Sequence, residues 1–290
     1  MNKIKHIVVS TMTLISPMLN TRFIYRLKFG KPLDLKNPKT LNDKILWLKF
    51  NTYKNNPVIK QCADKYAVRE YIEKLGEGEL LNELIGCYEK VDDIPWSMLP
   101  DRFALKLNTG CACNIICTDK RDLDIEETKR ILRKWLKANY WLEYSEMQYK
   151  GVKKRILIEK FLGDDEGNLP LDYKFYCFNG ESKYVMVCTD REIGKTAKFY
   201  YFDKKWNMMP YTQDALDNPH TVIPKPEMID EAFECAERLS KGFPFVRVDL
   251  YIVEKKIYFG ELTFTPSAGM DEERLKTTDL ILGEMLKLPE

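Results

Sequence analysis

Two apolar, strand-like runs near the C-terminal end each carry a carboxylate. Phe245-Val-Arg-Val-Asp-Leu-Tyr251 holds Asp249, and Lys256-Ile-Tyr-Phe-Gly-Glu-Leu-Thr263 holds Glu261, with a turn at Val253-Glu254-Lys255 that folds the two into a hairpin. An unpaired charge is costly to bury, so such groups are paired, protonated or metal-bound. With Arg247 two residues before Asp249, the two carboxylates could hold a divalent ion and the phosphates it carries.

Other charged residues sit in similar settings upstream. Lys106 lies in the apolar run Arg102-Phe-Ala-Leu-Lys-Leu107, just before the small-residue turn Asn108-Thr-Gly-Cys-Ala-Cys-Asn114. A lysine there either snorkels to the surface or offers a point charge to an anion. Small side chains around Gly110 let a polyanion approach backbone N–H groups, although the turn matches neither GxxxxGK[ST] nor GxGxxG. Glu159 and Lys160 come late in the strand-like run 156–162, where side-chain and backbone groups could read a nucleotide's ribose and adenine; an edge-strand ion pair is the competing reading. Asp172 and Lys174 alternate along one run, so they share a face and could pair. Arg191 and Lys198 follow in the next segments, and for any one of these residues a structural salt bridge stands as the alternative.

These residues need scaffolding, and the pattern supplies it. Thr40 can cap a helix over Ile45-Leu-Trp-Leu-Lys-Phe50, with Asp43 in its first turn. Residues 57–75 read as one helix, with Ile59, Cys62, Ala63, Tyr66, Ala67 and Ile72 at helical spacing. Residues 102–107 and 115–117 read as strands on either side of the turn, and 124–141 as a helix with a basic outer face. The runs 172–178 and 183–188 flank Asn179-Gly180, a type I′ hairpin signal, and 196–202 with Trp206 onward form a further pair. An amphipathic stretch over 228–239 precedes the closing hairpin. Helices and largely antiparallel strands in irregular alternation predict an α+β fold rather than a doubly wound parallel sheet.

Composition narrows the chemistry. The 290 residues, 44% hydrophobic with a net charge of +2, describe a globular chain with ample core and no electrostatic case for nucleic-acid binding. Only His6 and His220 are present, and neither sits in a motif, which nearly excludes histidine-based catalysis. The eight cysteines never form CxxC and read as buried hydrophobes of a reducing, cytoplasmic compartment. Cys111 and Cys113 are the exceptions, since a loop of N–H groups near Lys106 would lower a thiol pKa. Residues 1–20 join Lys3 and Lys5 to a short apolar stretch broken by Ser10, Thr11, Thr13 and Pro17, too short to span a bilayer. They predict a helix packed on the domain or peripheral attachment to the inner membrane face.

From about Arg22 to Pro289 the chain resembles the TupA-like ATP-grasp family, named for a teichuronopeptide biosynthesis protein and associated with capsular and surface-polysaccharide genes. The resembling segments are Asn37-Pro-Lys-Thr-Leu-Asn-Asp-Lys44, Asp64-Lys-Tyr-Ala-Val-Arg-Glu-Tyr71, Ala104-Leu-Lys-Leu-Asn108, Asp172-Tyr-Lys-Phe175 with Phe178-Asn-Gly180, and Phe243 to Tyr251 with Phe259-Gly-Glu-Leu-Thr-Phe264. The resemblance implies an ATP-grasp fold, two α+β subdomains clamping a nucleotide. It implies an N-terminal helical extension over 1–60 and an ATP-grasp domain over 61–290, divided into a leading region 61–100, a small subdomain 101–160 and a large subdomain 161–290. Carried over by position, Lys106 and Lys174 would contact ATP phosphates, with Asn108 and Gly110 in the phosphate loop. Glu159, Lys160, Phe161 and Leu162 would meet the adenosine end, Asp249, Glu261 and Thr263 would hold Mg2+, and Arg247 would stabilise the transferring phosphoryl group. Two departures stand out: Thr263 replaces the family's usual Asn, and Thr109-Gly-Cys-Ala-Cys113 replaces a glycine-richer loop.

The implied reaction is ATP-dependent carboxylate–amine ligation through an acyl phosphate. Its expected partners are the uronic acid of an acidic glycan and an amino acid or peptide, with contact to the polysaccharide assembly machinery or inner membrane face. Arg22, Arg26, Lys28, Lys31, Lys44, Lys65 and Arg69 could attract such a glycan. Alternative readings are a sugar kinase on the same scaffold, a glycosyltransferase, for which the loop pairs Asp92-Asp93 and Asp164-Asp165 lack the flanking strand that would position a diphosphate, and a non-catalytic nucleotide- or glycan-binding scaffold.

Overall fold

The computed structural model describes residues 3–189 and 197–289. The chain begins with a helical pair, α1 (Lys3–Ile15) and α2 (Pro17–Phe29), separated by Ser16. Ser16 Oγ accepts from Leu19 N, Pro17 takes the first helical position, and Gly30 closes α2 at φ 67°. Helix α3 (Leu41–Phe50) starts where Thr40 Oγ1 accepts from Asp43 N at 3.1 Å, as its sequence predicts.

The single helix expected over 57–75 is two: α4 (Pro57–Ala63) and α5 (Val68–Lys74). Asp64 breaks it, because its carboxylate accepts from Tyr66 N at 2.8 Å and its backbone turns extended. Side-chain bonding of this kind competes directly with the helical ladder. After the edge strand β1 (Leu84–Tyr88) come β2 (Phe103–Leu107), β3 (Asn114–Cys117), α6 (Ile125–Lys137), α7 (Trp141–Tyr144) and β4 (Ile156–Lys160). Helix α6 stops four residues short of the expected Trp141, where Lys154 Nζ donates to the carbonyls of Leu136 and Ala138. A cation at a helix C-terminus satisfies the orphan carbonyls and opposes the macrodipole.

Strands β5 (Asp172–Phe178) and β6 (Glu181–Thr189) meet at Asn179-Gly180, both at positive φ, as a type I′ turn requires. Then follow β7 (Lys198–Asp203), β8 (Met208–Met209), α8 (Gln213–Asp217), α9 (Ile229–Ser240), β9 (Phe245–Val253), β10 (Lys256–Thr263) and α10 (Lys276–Met285). The β9–β10 turn places Glu254 and Lys255 at positive φ, so it too is tight. Thr196 and Arg191 lie outside the described residues.

The strands form two sheets, one of four strands in order β1-β4-β2-β3 and one of six in order β10-β9-β5-β6-β7-β8. Every pairing is antiparallel, which bears out the α+β expectation. The smaller sheet takes β1 from the stretch expected to precede it, and packs Phe103, Leu105, Ile156 and Ile158 against Leu132 of α6. The larger sheet shares its core with α3, α4, α5, α9 and α10. A third cluster, around Val9, Ile24, Tyr25 and Leu46, seats the N-terminal helices. Among the described residues, no helix is long and apolar enough to cross a membrane.

Candidate active site

Three strands of the larger sheet gather the predicted chemistry on one face. Register sets Lys174 of β5 opposite Asp249 of β9, and Asp249 opposite Glu261 of β10; one step on, Tyr176 faces Arg247 and Arg247 faces Thr263. The reverse face carries Phe175, Val246, Val248 and Leu250, all fully buried, with the Phe175 ring edge-on to Phe233 of α9. Strict alternation along β10 would put Glu261 on that apolar face with Ile257 and Phe259. A bulge between Phe259 and Glu261 prevents this, since Gly260 is left without a partner and the side chains beyond it change sides. A Cβ on Gly260 would lie 2.9 Å from the Asp249 carbonyl oxygen, so only glycine fits comfortably.

The charged groups form one network. Arg247 grips Asp249 with two prongs, Nε to Oδ1 at 2.7 Å and Nη2 to Oδ2 at 2.6 Å. Lys174 Nζ bridges Asp249 Oδ2 at 2.8 Å and Asp172 Oδ2 at 2.5 Å. Such short contacts to a guanidinium and an ammonium are charge-assisted, while burial pushes the Asp249 carboxyl up against the pull of Arg247 and Lys174. Arg247 Nη2 also donates to Glu261 Oε1 at 3.3 Å and to Thr263 Oγ1 at 3.2 Å, while the Thr263 hydroxyl donates to Glu261 Oε1 at 2.8 Å. Burial alone would raise the Glu261 pKa, but Lys65, Arg247 and Lys174 outweigh it and hold the carboxyl well below its usual range. Three cations thus balance three carboxylates across the face.

Lys65 is the residue whose place the sequence did not disclose. Read as one of several cations that could attract a glycan, it instead bridges the sheets: Nζ lies 3.2 Å from Glu261 Oε2 and donates to the Gly110 carbonyl at 2.9 Å. The Asp64 break aims it there, and the next donor along, Lys65 N, bonds Asn108 O at 2.9 Å. Arg69, grouped with it, approaches Glu159 at 3.8 Å. The signal available was Asp64-Lys65 itself, an acidic helix-breaker followed by a cation.

A slot opens between the smaller sheet and Tyr251 of the larger one. Lys106 Nζ pairs with Glu159 Oε2 at 2.6 Å, and the slot is lined by Lys106, Ala104 and Ile116, by Lys160, Phe161 and Leu162 leaving β4, and by Tyr251 of β9. Arg102 stacks over the Phe161 ring at 4.8 Å. A second cavity, of about 270 Å³, adjoins the carboxylates and is lined by Arg247, Glu261 and Thr263 together with Lys28, Gly110, Cys111, Glu146, Tyr149, Thr265 and Ser267. Thr265 Oγ1 donates to Glu146 Oε1 at 2.9 Å, and burial pushes the Glu146 carboxyl up.

Two expectations need correction. Asn108, expected in the phosphate loop, is fully buried and committed to the fold. Its Nδ2 donates to Asp64 Oδ1 and Lys153 O at 2.9 and 3.0 Å, and its Oδ1 accepts from Arg155 N at 2.7 Å. The thiols of Cys111 and Cys113 are not activated: desolvation is the largest influence on both and raises them despite Lys65. Of the acidic pairs, Asp164 accepts from Asn168 N and Asp92 pairs with Arg133 on the surface.

Among the described residues no group of three or more metal-ligating side chains forms a protein cage. Mg2+ does not need one, because it is held by one or two carboxylates with phosphate and water oxygens completing the shell. Asp249 and Glu261, cross-strand neighbours with the Thr263 hydroxyl beside them, are hard oxygen donors of that kind and fit the ion.

Comparison with known proteins agrees with the fold. The family model described as TupA-like ATPgrasp matches residues 43–287, and the chain belongs to that family. No curated protein matches the chain. Among solved structures it is similar to D-alanine–D-alanine ligase from Bacillus anthracis complexed with ATP, at 16% identity and a TM-score of 0.45, covering 78% of this chain and 65% of that one. It is also similar to phosphoribosylamine–glycine ligase from Thermotoga maritima, at 12% identity and a TM-score of 0.44, covering 73% and 50%. A third, the ATP-grasp ligase PsnB with minimal precursor, Mg and ADP, shares 11% identity at a TM-score of 0.39, covering 72% and 52%. The chain therefore spans less than two thirds of each of these proteins.

Proposed function

We propose that this member of the TupA-like ATP-grasp family is an ADP-forming carboxylate–amine ligase that joins an amino acid or peptide to a uronic acid of a surface polysaccharide. The observation that carries the reading is the network of Lys174, Arg247, Asp249 and Glu261 on one sheet face, with a narrow slot lined by Lys106, Lys160, Phe161 and Leu162 and a separate cavity lined by Arg247 and Glu261. ATP would lie in the slot, its adenine against Phe161, Leu162 and Ala104, and its ribose near Lys160 and the Glu159–Lys106 pair. Lys106, Lys174 and the Gly110 backbone would take the phosphates.

In the first step a uronate oxygen attacks the γ-phosphorus, the bond to the β-phosphate oxygen breaks, and ADP leaves an acyl phosphate behind. Arg247, already poised between Asp249 and Glu261, neutralises charge on the transferring group. Mg2+ bound by Asp249, Glu261 and the Thr263 side would neutralise the phosphate oxygens. In the second step the amine nitrogen attacks the acyl carbon, phosphate departs and the nitrogen loses a proton, leaving an amide. The cavity lining supports this reading, since Arg247 and Lys28 would offer cations to an acid and Glu146 a carboxylate to an ammonium group.

Purified protein with ATP, Mg2+ and a uronic-acid glycan should release ADP continuously only when an amine is added. ADP release with glycan alone and phosphate retained on the sugar would make it a kinase. Turnover of a nucleotide sugar without ATP binding would support a glycosyltransferase and overturn the ligase reading.

A further inference from the structure

Helices α1 and α2 are apolar on both sides. Their inward faces mix Val9, Ile24 and Tyr25 with a polar cluster, in which Thr13 Oγ1 donates to Leu142 O at 2.7 Å and Asn20 Nδ2 donates to Thr13 Oγ1 at 2.8 Å and Ser145 Oγ at 3.1 Å. Their outward faces are apolar. Ile7, Leu14 and Ile15 on α1 and Leu19, Phe23 and Leu27 on α2 lie between 39% and 73% exposed. Arg22 and Arg26, one turn apart, form an exposed row beside the last three.

Charge on this segment has one sign. Residues 1–33 contain four lysines and two arginines and no aspartate or glutamate, so with a net charge of only +2 for the whole chain the remainder is acidic. The helical pair also lies ahead of the 43–287 region that the family model matches.

We propose that the outward face of α1 and α2 docks on an anionic phospholipid bilayer, with the apolar side chains at the acyl boundary and the cations among the headgroups. A helix of mixed apolar and cationic exposure with no acidic residue is suited to that interface. At 13 residues each, the helices would lie on the bilayer and not cross it. A second copy of the chain is a poorer occupant, because a two-fold contact sets each patch against itself and would juxtapose its cations. Helix α2 also lends Lys28 to the rim of the larger cavity, so docking would hold that rim near the bilayer.

The full chain should float with phosphatidylcholine vesicles containing phosphatidylglycerol, bind pure phosphatidylcholine vesicles far less, and be released as salt is raised. Leu14→Asp with Phe23→Asp, and separately Arg22→Glu with Arg26→Glu, should each weaken partitioning by about tenfold or more. Both variants should keep the wild-type melting temperature and ATP affinity. Failure of the wild-type chain to float with the anionic vesicles would overturn the proposal, as would flotation of both variants like wild type. So would a dimer that Leu14→Asp dissociates, since the face would then be an interface between copies.

Discussion

Glu261 touches Arg247, Thr263 and Lys65 at once, so its charge is shared among three partners. Glu261→Gln keeps the shape and removes the charge. Mg2+-dependent ADP release should fall by about 100- to 1000-fold, with the fold retained. A rate within a few fold of wild type would remove Glu261 from the metal position. Lys65→Met separates two readings of that lysine. As a bridge between Glu261 and the Gly110 carbonyl, its loss should lower kcat by about 10- to 100-fold and raise KM for ATP. As a surface cation for glycan, it would shift only the KM for glycan and its salt dependence. Asp249, Arg247 and Lys174 were legible in the sequence because a charge inside an apolar strand demands an explanation. Lys65 was not, because it lies in a segment whose spacing reads as uninterrupted helix.

Elements decide where those residues point, and here two irregularities matter more than the regular structure. The bulge at Gly260 carries Glu261 and Thr263 from the core side to the site, and the Asp64 break turns Lys65 toward them. Gly260→Ala places a methyl group against the Asp249 carbonyl, and backbone cannot swing away as a flexible side chain would. We expect a loss of about 1–3 kcal/mol in urea unfolding together with reduced turnover. Unchanged values for both would show that the strand absorbs the methyl group elsewhere. The hairpins at 179–180 and 254–255 were readable from turn chemistry and alternation, as was the helix capped by Thr40. Strand β1 was hidden because it is half-buried along its whole length and carries Gly86 in place of an alternating pattern. Asn108 misled for a related reason: small polar residues beside a glycine suit a phosphate loop and a buried hydrogen-bond junction equally well.

At the scale of the whole molecule, the larger cavity depends on segments far apart in sequence being held together, and a buried lysine helps to hold them. Lys49 of α3 donates to the Tyr144 carbonyl at the end of α7, at 2.6 Å, and to the Ala268 carbonyl at 3.5 Å; Tyr144 and Ala268 both line the cavity. Burial pushes its pKa from 10.5 down to about 8, against an opposing pull from Glu146. The unfolded chain therefore binds more protons than the folded one between those values. Stability from this group is fully present above the ordinary lysine pKa and is lost as pH falls through about 8. The gap corresponds to on the order of 3 kcal/mol. Lys49→Met removes the titration, so the unfolding free energy of wild type minus that of the variant should rise by that order between about pH 8 and pH 10.5. Taking the difference cancels the other groups that titrate there, including buried tyrosines, provided the variant keeps the fold. A difference that stays flat across this range would mean that Lys49 remains charged throughout, its ammonium fully compensated by the two carbonyls and Glu146.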